Sequence, residues 1–363
     1  MNSDYIIVGS GLTGAVIART LAESGAKPLV IDRRSHMGGN VFDSTHESGI
    51  RMHTYGPHYF RTSSEKIWRF VNRFTEFYKY EAIIKSNVDG RFENWPIAAS
   101  YIKNSIGVDW RPDFMGEASN FEEACLSMMP RLVYEKFIRG YSEKQWGVKA
   151  NALSANLAKR FDVRGDDDPR LMQHQYQGLP VNGYAHMMAE MLRGIPVLLN
   201  CDYLQHRDSF QAKKKLIFTG AIDEYFGFDL GKLQYRGQRR EHRYDENAEY
   251  LQPCGQVNNP NPECGLHIRS MEWKHMMKPN LAKRIRGTVI TQEVTITPSD
   301  PNGYEYPFPS SQNATLYDSY RNRIAAASNV LVCGRLGEYR YYDMDQAIGR
   351  ALMLAEGVLK GEK

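Results

Sequence analysis

Cysteine is scarce in this sequence. Its 363 residues include five cysteines, an odd number, and no C-x-x-C pair occurs among them. Free thiols without a disulfide framework are typical of proteins in a reducing compartment. Cys254, Cys264 and His267 lie near one another in the chain, but their spacing matches no standard metal site, so we predict no bound metal.

A strong charge of either sign is also absent. The 46 basic and 42 acidic residues leave a net charge of +4, and the basic runs at 213–215 and 236–243 are short. Because a nucleic-acid-binding protein normally carries a longer basic stripe, we predict no nucleic-acid partner.

The sequence has no long uninterrupted apolar run either. The opening stretch "YIIVGSGLTGAVIA" is broken by three glycines and has no basic segment before it. This pattern is neither that of a secretory signal nor that of a membrane span. We therefore expect a cytoplasmic protein without a membrane span.

A strand, a glycine-rich turn and a helix follow one another at the start of the chain. Residues 5–8 are typical of a buried parallel strand, and "AVIARTLAESG" after the turn has helical spacing. The turn supplies Gly9, Gly11 and Gly14, and the next strand ends at Asp32. Glycines at this spacing let a pyrophosphate approach the helix N-terminus, and the carboxylate can bind ribose hydroxyls. The unit predicts a dinucleotide site.

Two further stretches favour FAD over NAD as the dinucleotide. In "DRRSHMGGN" a second glycine pair follows Asp32, as in flavoproteins of the glutathione-reductase-like class. An FAD protein also needs a distant strand, turn and helix to meet the flavin, and "VLVCGRLGEYRYYDMDQAI" has that form. We predict an α/β fold with an FAD-binding, Rossmann-like domain of this class.

The remaining sequence predicts two more domains. Helical periodicity dominates 97–165, which indicates an inserted helical domain. Alternating stretches such as "TVITQEVTI" indicate an antiparallel β-sheet domain, to which we assign 81–96 and 231–317. The FAD-binding domain is then discontinuous and consists of 1–80, 180–230 and 318–363.

Five motifs together resemble those of the UDP-galactopyranose mutases. They run in the order of that family over nearly the whole chain: "YGPHYFRT", "RGYSEKQWG", "YQGLPVNGY", "FTGAIDEYFG" and "GRLGEYRYYDMD". The resemblance implies FAD as cofactor and an isomerase that interconverts UDP-galactopyranose and UDP-galactofuranose for cell-surface polysaccharide synthesis. It also implies that the flavin is reduced and that its N5 attacks the anomeric carbon.

The resemblance also implies roles for individual residues. Catalytic roles fall on Arg160, Arg269 and His58. Substrate contacts fall on Phe137, Tyr141, Trp146, Arg236, Tyr306, Arg335, Tyr341 and Arg61. Cofactor contacts fall on Gly9, Gly11, Leu12, Thr13, Gly14, Asp32, Arg33, Gly38, Gly39, Asn40, Tyr55, His58, Thr219, Gly334, Arg335, Tyr342, Asp343, Met344 and Asp345. Guanidinium groups bind diphosphate with paired hydrogen bonds, which suits the arginines to this task.

Two positions depart from the family pattern. Arg61 stands where many bacterial relatives carry His, so an N-acetylated substrate such as UDP-N-acetylgalactosamine is a candidate beside UDP-galactose. Leu171 and Met172 stand where relatives carry an aromatic pair, in a substrate lid expected near 160–176. The expected partners are a UDP-hexose, a reductant such as NAD(P)H or a flavin reductase, and a second copy of the chain in a homodimer.

Two alternative functions remain open at this point. One is an FAD-dependent oxidoreductase of the amine-oxidase-like class, which would share the cofactor fold but oxidise its substrate. The other is a flavoprotein that binds a nucleotide sugar without turning it over.

Overall fold

The computed structural model describes residues 2–161, 163–327 and 329–361. Its strands are β1 (Asn2–Val8), β2 (Pro28–Ile31), β3 (Asp43–Thr45), β4 (Arg51–His53), β5 (Phe60–Thr62), β6 (Phe77–Lys79), β7 (Ile84–Val88), β8 (Arg91–Trp95), β9 (Tyr176–Pro180), β10 (Val197–Leu198), β11 (Gln211–Phe218), β12 (Tyr235–Asp245), β13 (Gln256–Asn258), β14 (His267–Glu272), β15 (Thr288–Ile296), β16 (Tyr306–Pro307) and β17 (Val330–Val332).

Among the described residues, three α-helices have twelve or more residues and the other α-helices have eight or fewer. The α-helices are α1 (Leu12–Glu23), α2 (Glu65–Val71), α3 (Ala99–Ser105), α4 (Phe121–Leu126), α5 (Arg131–Val133), α6 (Gly140–Trp146), α7 (Tyr184–Met191), α8 (Ile222–Tyr225), α9 (Pro279–Ala282), α10 (Ser311–Ala325), α11 (Gly334–Gly337) and α12 (Met344–Leu359). A π-helical turn spans Tyr134–Arg139. Short 3-10 turns span Gly39–Val41, Ala150–Ala152, Ala155–Arg160, Arg207–Ser209, Pro262–Cys264, Trp273–Met276 and Pro301–Gly303.

Five parallel strands form the sheet that carries the glycine-rich turn. Their order is β10, β2, β1, β11 and β17, so β1 lies at the centre. Ile7 and Val30 belong to the core on the α1 side, whereas Ile6 and Leu29 pack around Tyr203 on the other face. Burial on both faces explains the continuous apolar strands, and the predicted β-α-β unit and α/β class are confirmed.

Two other helices pack against α1. Helix α12 packs along it and α7 packs beside it. Ala15 and Ala18 of α1 are fully buried, as are Ala351 and Ala355 of α12. Small side chains on both helices allow a close approach, which brings the N-terminus of the last helix next to that of the first.

A seven-stranded sheet lies beyond the first one. Its order is β16, β12, β15, β14, β13, β7 and β8, and among the described strands β13 and β7 are its parallel pair. In β12, β15 and β14, the side chains of residues that lie directly opposite one another point to the same face of the sheet. Two small sheets, β3–β4 and β5–β9–β6, complete the β structure of the described chain.

The helical region between β8 and β9 has a core of its own. Phe121, Val133 and Tyr134 are fully or almost fully buried there, and Phe137 and Trp146 join them. The three-domain division proposed above remains a prediction, and Met1, Asp162, Ser328, Glu362 and Lys363 lie outside the described residues. None of the helices described is long and apolar enough to cross a membrane.

The third glycine of the fingerprint serves packing. A Cβ on Gly14 would lie 1.9 Å from the carbonyl oxygen of Gly9, far inside van der Waals contact. Only hydrogen fits there, so Gly14 sets how closely α1 approaches the end of β1.

We therefore expect Gly14→Ala to lower the free energy of unfolding by about 1–3 kcal/mol or more, because the methyl group forces α1 away from β1. Thermal unfolding of the holoprotein measures the effect. Gly165→Ala is the matched control, since a Cβ at Gly165 meets nothing within 4 Å. Equal melting temperatures for the two variants would contradict this account.

Candidate active site

One cavity of about 480 Å³ extends from the first sheet towards the second. The N-termini of α1 and α12 both open onto it, at 11–13 and at Asp343. Every residue predicted to bind FAD or substrate lines this cavity except Gly14, Arg236 and Asp345. Helix N-termini offer unpaired N–H groups and the positive end of the helix dipole, so the cavity suits anionic ligands.

Asp32 is oriented by hydrogen bonds from the protein. Its buried carboxylate accepts from the N–H of Ser10 at 2.7 Å, from the Ser10 hydroxyl at 2.6 Å and from the N–H of Arg34 at 2.9 Å. These donors occupy three of about four acceptor positions, which leaves one for a ribose hydroxyl. The motif did not single out Ser10, because its position in the fingerprint is a variable one.

Two basic side chains next to Asp32 in the sequence are held by contacts with other side chains. Arg33 makes paired hydrogen bonds of 2.7 and 2.9 Å with the carboxylate of Glu224. The guanidinium of Arg34 lies 4.4 Å from the ring centroid of Tyr55. Paired Arg–carboxylate contacts are directional, so Arg33 lines the cavity in a fixed position.

The two glycine-rich turns approach each other through backbone alone. A Cβ on Gly39 would lie 2.9 Å from Cα of Gly11, closer than Cβ atoms come in proteins. Both turns line the cavity, so their backbones border it without intervening side chains. Together with Asp32, this cradle fits the dinucleotide part of FAD.

His58 is a neutral imidazole at the centre of the cavity wall. Its Nδ1 lies 2.7 Å from the carbonyl oxygen of Gly56, which can only accept, so Nδ1 carries the proton and Nε2 is an acceptor. Burial and the nearby guanidinium of Arg335 lower the pKa of His58 to about 3. The ring therefore contributes no charge near neutral pH.

One end of the cavity is aromatic. Phe137 and Tyr141 line it, the first from the π-helical turn and the second from α6 directly after that turn. Phe137 packs edge-on against Tyr101, with centroids 4.9 Å apart, and Trp146 packs against Phe308 at 5.8 Å. π-helical turns are rare and often occur at functional sites. The rings are thus held from behind and present surface to a planar ligand.

Two arginines from distant parts of the chain meet a pair of tyrosine rings. Tyr306 and Tyr341 are stacked at 6.1 Å with 13° between their planes. Arg160 lies 4.5 Å from the centroid of Tyr341, and Arg335 lies 5.6 Å from Tyr341 and 5.7 Å from Tyr306. Contacts with aromatic faces hold a guanidinium in place without using its N–H donors. Those donors can therefore serve an anionic ligand.

Asp343 connects three parts of the site. Its carboxylate pairs with Arg61 at 3.0 Å and accepts a hydrogen bond from the hydroxyl of Tyr341 at 3.2 Å. It also forms a capping box with Gln346 at the start of α12. Arg61, Tyr341 and the helix terminus are thereby held together by one side chain.

Arg269 reaches the cavity from the second sheet. Its Nε donates to the fully buried carboxylate of Glu293 at 2.5 Å. The guanidinium is thus paired with a carboxylate, and the residue also lines the cavity.

Three predicted ligand residues lie away from the cavity wall, and each has a structural reason. Gly14 faces Gly9 within the β1–α1 contact. Arg236 donates from Nε to the carbonyl oxygen of Gln145 at 3.1 Å and from Nη1 to Thr297, so it links α6 to the second sheet. Asp345 is half-buried in the first turn of α12 and accepts from the N–H of Gln346.

Leu171 and Met172, the departures expected in a lid, do line the cavity. The N–H of Leu171 donates to the carbonyl oxygen of Ala82 at 2.8 Å. Arg164 donates to the carbonyl oxygen of Arg170 at 2.7 Å. The segment after Arg160 is therefore held at Ala82, two residues before β7, and two of its apolar side chains line the cavity. Asp162 within the predicted lid lies outside the described residues.

The fold and the cavity define the class of the protein as an α/β protein with a Rossmann-like dinucleotide site. A family model described as UDP-galactopyranose mutase matches residues 136–341, and one for NAD(P)-binding Rossmann-like domains matches residues 7–74. The chain belongs to the UDP-galactopyranose mutase family and is a flavin-dependent isomerase. Neither the oxidoreductase nor the non-catalytic alternative agrees with this membership.

Similar proteins cover the whole length of the chain. It is 30% identical to a probable UDP-galactopyranose mutase of Klebsiella pneumoniae, over 99% of this chain and 95% of that protein. It is 29% identical to a dTDP-fucopyranose mutase of Escherichia coli, over 99% of each. A crystal structure of reduced UDP-galactopyranose mutase has the same fold, with a TM-score of 0.74 at 14% identity over 99% of this chain and 94% of that one.

We expect Asp343→Ala to lower the free energy of unfolding by about 0.5–2 kcal/mol, because α12 loses its cap and Arg61 loses its partner. Asp345→Ala, two residues further on, is the control, since Asp345 is not the N-cap of α12 and does not pair with Arg61. Thermal unfolding of both holoproteins provides the comparison. An Asp345 variant that is destabilised as much as the Asp343 variant would refute the capping role.

Proposed function

We propose that the protein interconverts UDP-galactopyranose and UDP-galactofuranose when its FAD is reduced. The observation that carries the proposal is the continuity of one cavity from the dinucleotide cradle to the arginines and aromatic rings. A ligand bound among these groups would lie beside the flavin. Bound reduced FAD would supply the nucleophile, N5, that attacks the anomeric carbon of the sugar.

The arginines would bind the diphosphate. Arg160 and Arg335 have donors free of their ring contacts, and Arg269 is held by Glu293. When the bond between the sugar and the diphosphate breaks, negative charge grows on the leaving UDP. Guanidinium groups already fixed in place stabilise that charge without rearranging, which lowers the barrier to bond cleavage.

The aromatic end of the cavity would take the uracil. Phe137 is buried and supported by Tyr101, and Tyr141 follows it on the same wall. A flat base gains binding energy from contact with such rings whatever its hydrogen bonds. Trp146 would border the ribose from the next turn of α6.

Apolar cover over the cavity would keep water from the opened sugar. Leu171 and Met172 lie on the segment fastened to Ala82. The neutral His58 adds no charge that would attract water to the flavin. Exclusion of water matters because a covalently held sugar would otherwise hydrolyse.

Arg61 would influence which sugar is accepted. Asp343 fixes it at the cavity wall, where a guanidinium N–H could donate to the carbonyl oxygen of an N-acetyl group. We therefore propose UDP-N-acetylgalactosamine as a second substrate. Because a relative is named for dTDP-fucopyranose, a dTDP-linked hexose belongs in the same substrate panel.

Three further expectations are part of this proposal. An external reductant such as NAD(P)H or a flavin reductase would keep the FAD reduced. The working form would be a cytoplasmic homodimer. The helical region would act with the segment 160–176 as the part that closes over the substrate.

Turnover by the reduced holoprotein tests the proposed reaction. We expect dithionite-reduced protein to convert UDP-galactofuranose to the pyranose without reoxidation of the flavin, as measured by chromatography of the nucleotide sugars and by flavin absorbance. The oxidised protein should be inactive. Arg160→Ala should lose at least about tenfold in kcat/KM while FAD remains bound, because a diphosphate contact is removed. Activity of the oxidised protein, or reoxidation in step with turnover, would refute the proposal.

Substitution of Arg61 tests the proposed choice of sugar. The ratio of kcat/KM for UDP-N-acetylgalactosamine to that for UDP-galactose should fall about tenfold in Arg61→His, since a charge-assisted hydrogen bond is lost. UDP-galactose serves as the internal control for folding and FAD content. If the ratio is the same in both proteins, Arg61 does not select the sugar.

A further inference from the structure

A row of alternating charges crosses the second sheet and ends at the cavity. Arg240 on β12 and Arg269 on β14 both lie opposite Glu293 on the intervening strand β15. Glu305, directly before β16, continues the row on the other side of Arg240. The four side chains therefore follow the order of the strands, with a carboxylate between the two arginines and another at the far end.

Close hydrogen bonds join neighbouring guanidinium and carboxylate groups along the row. Arg240 donates from Nη1 and Nη2 to the two oxygens of Glu305, both at 2.9 Å, and from Nε to Glu293 at 3.0 Å. The other oxygen of Glu293 accepts from Nε of Arg269 at 2.5 Å. The exposed fractions of the side chains are 8% for Arg240, 6% for Glu305, 0% for Glu293 and 14% for Arg269.

Sharing of Glu293 between two arginines has a consequence for Arg269. Burial alone would raise the pKa of Glu293, but Arg269 and Arg240 hold it below its usual range, so the carboxylate stays charged. With one oxygen held by Arg240, Glu293 binds Arg269 through Nε only. Within the described chain the terminal nitrogens of Arg269 make no hydrogen bond, and the residue lines the cavity.

We propose that Arg240 is a positioning residue: by occupying one oxygen of Glu293, it keeps the terminal nitrogens of Arg269 turned towards the diphosphate of the substrate. The inference rests on the proposed role of Arg269 in diphosphate binding. Without Arg240, both oxygens of Glu293 are available to Arg269, which favours a paired contact that withdraws the guanidinium from the ligand.

Gly56 shows how tightly the row is enclosed. A Cβ on Gly56 would lie 2.8 Å from Oε1 of Glu293 and 3.0 Å from Nη2 of Arg240. The backbone of "YGPH" thus lies against the row at Gly56 and leaves little space in which Glu293 can adopt another rotamer.

The test compares Arg240→Met with Arg239→Met in the FAD-loaded protein. Arg239 is the neighbouring residue of β12, but its side chain is 58% exposed and pairs with Glu241. UDP is the probe, titrated calorimetrically. We expect the Kd for UDP to rise about tenfold in Arg240→Met and to stay within about twofold in Arg239→Met. An unchanged Kd in Arg240→Met would overturn the inference.

A double variant separates positioning from a merely structural role. Arg240→Met leaves the buried Glu305 unpaired, which destabilises the fold, whereas Arg240→Met/Glu305→Gln removes that unpaired charge. The double variant should regain melting temperature and still bind UDP about tenfold more weakly, since Glu293 lacks its second arginine. Recovery of wild-type UDP affinity together with stability would show that Arg240 only satisfies Glu305, and would overturn the inference.

Arg269→Ala distinguishes this inference from the proposed function. If it weakens UDP binding and the Arg240 variants do not, the inference alone fails. If it leaves UDP binding unchanged, the diphosphate role of Arg269 fails and the inference with it. If Arg240→Met does not yield folded holoprotein, the Kd for UDP is measured in the double variant and in Arg240→Lys. Lysine provides one charge without the paired contacts, so a Kd raised about tenfold is expected there too, and an unchanged Kd would overturn the inference.

Discussion

The close contact between α1 and β1 at Gly14 is the constraint on which the rest of the structure depends. It places the N-terminus of α1 at the end of the central strand, where the two glycine-rich turns meet. Helix α12 packs along α1 through small side chains, so its own N-terminus is brought to the same cavity. Asp343 then ties Arg61 and Tyr341 to that terminus. The contact between Gly9 and Gly14 thus helps to determine where the motif before α12 meets the glycine-rich turns.

Charge in the site is arranged in two ways. Arg160 and Arg335 are held against tyrosine rings, which restrict them without neutralising them. Arg269 and Arg33 are held by the carboxylates of Glu293 and Glu224. An arginine held by a ring keeps its full positive charge for a ligand. An arginine held by a carboxylate has a fixed orientation, but the carboxylate offsets its charge. The proposed function places two anionic groups in this cavity, the pyrophosphate of FAD and the diphosphate of a nucleotide sugar, and both arrangements would favour their binding.

Local patterns identified the parts of the site formed by consecutive residues. The turn at Gly9 to Gly14, the strand ending at Asp32 and the terminal helix after Asp343 are all read from residues that are neighbours in the chain, and the cavity joins them. Arg236 shows what such patterns leave out. Its motif position predicts a ligand contact, which stays a prediction, and the structure adds that its Nε donates to the carbonyl oxygen of Gln145 on α6.

The sequence by itself determined the α/β class, the dinucleotide cradle and the family, since each depends on short-range spacing or on motifs kept in order. Only the tertiary structure decided that Arg240, Glu293 and Arg269 form one row, because that row depends on the register of three strands separated by long stretches of chain. It also decided that Asp32 is oriented by Ser10 and that Asp343 pairs with Arg61. A shift of one residue in strand pairing would turn such side chains to the opposite face of the sheet, and composition or periodicity alone does not specify that register.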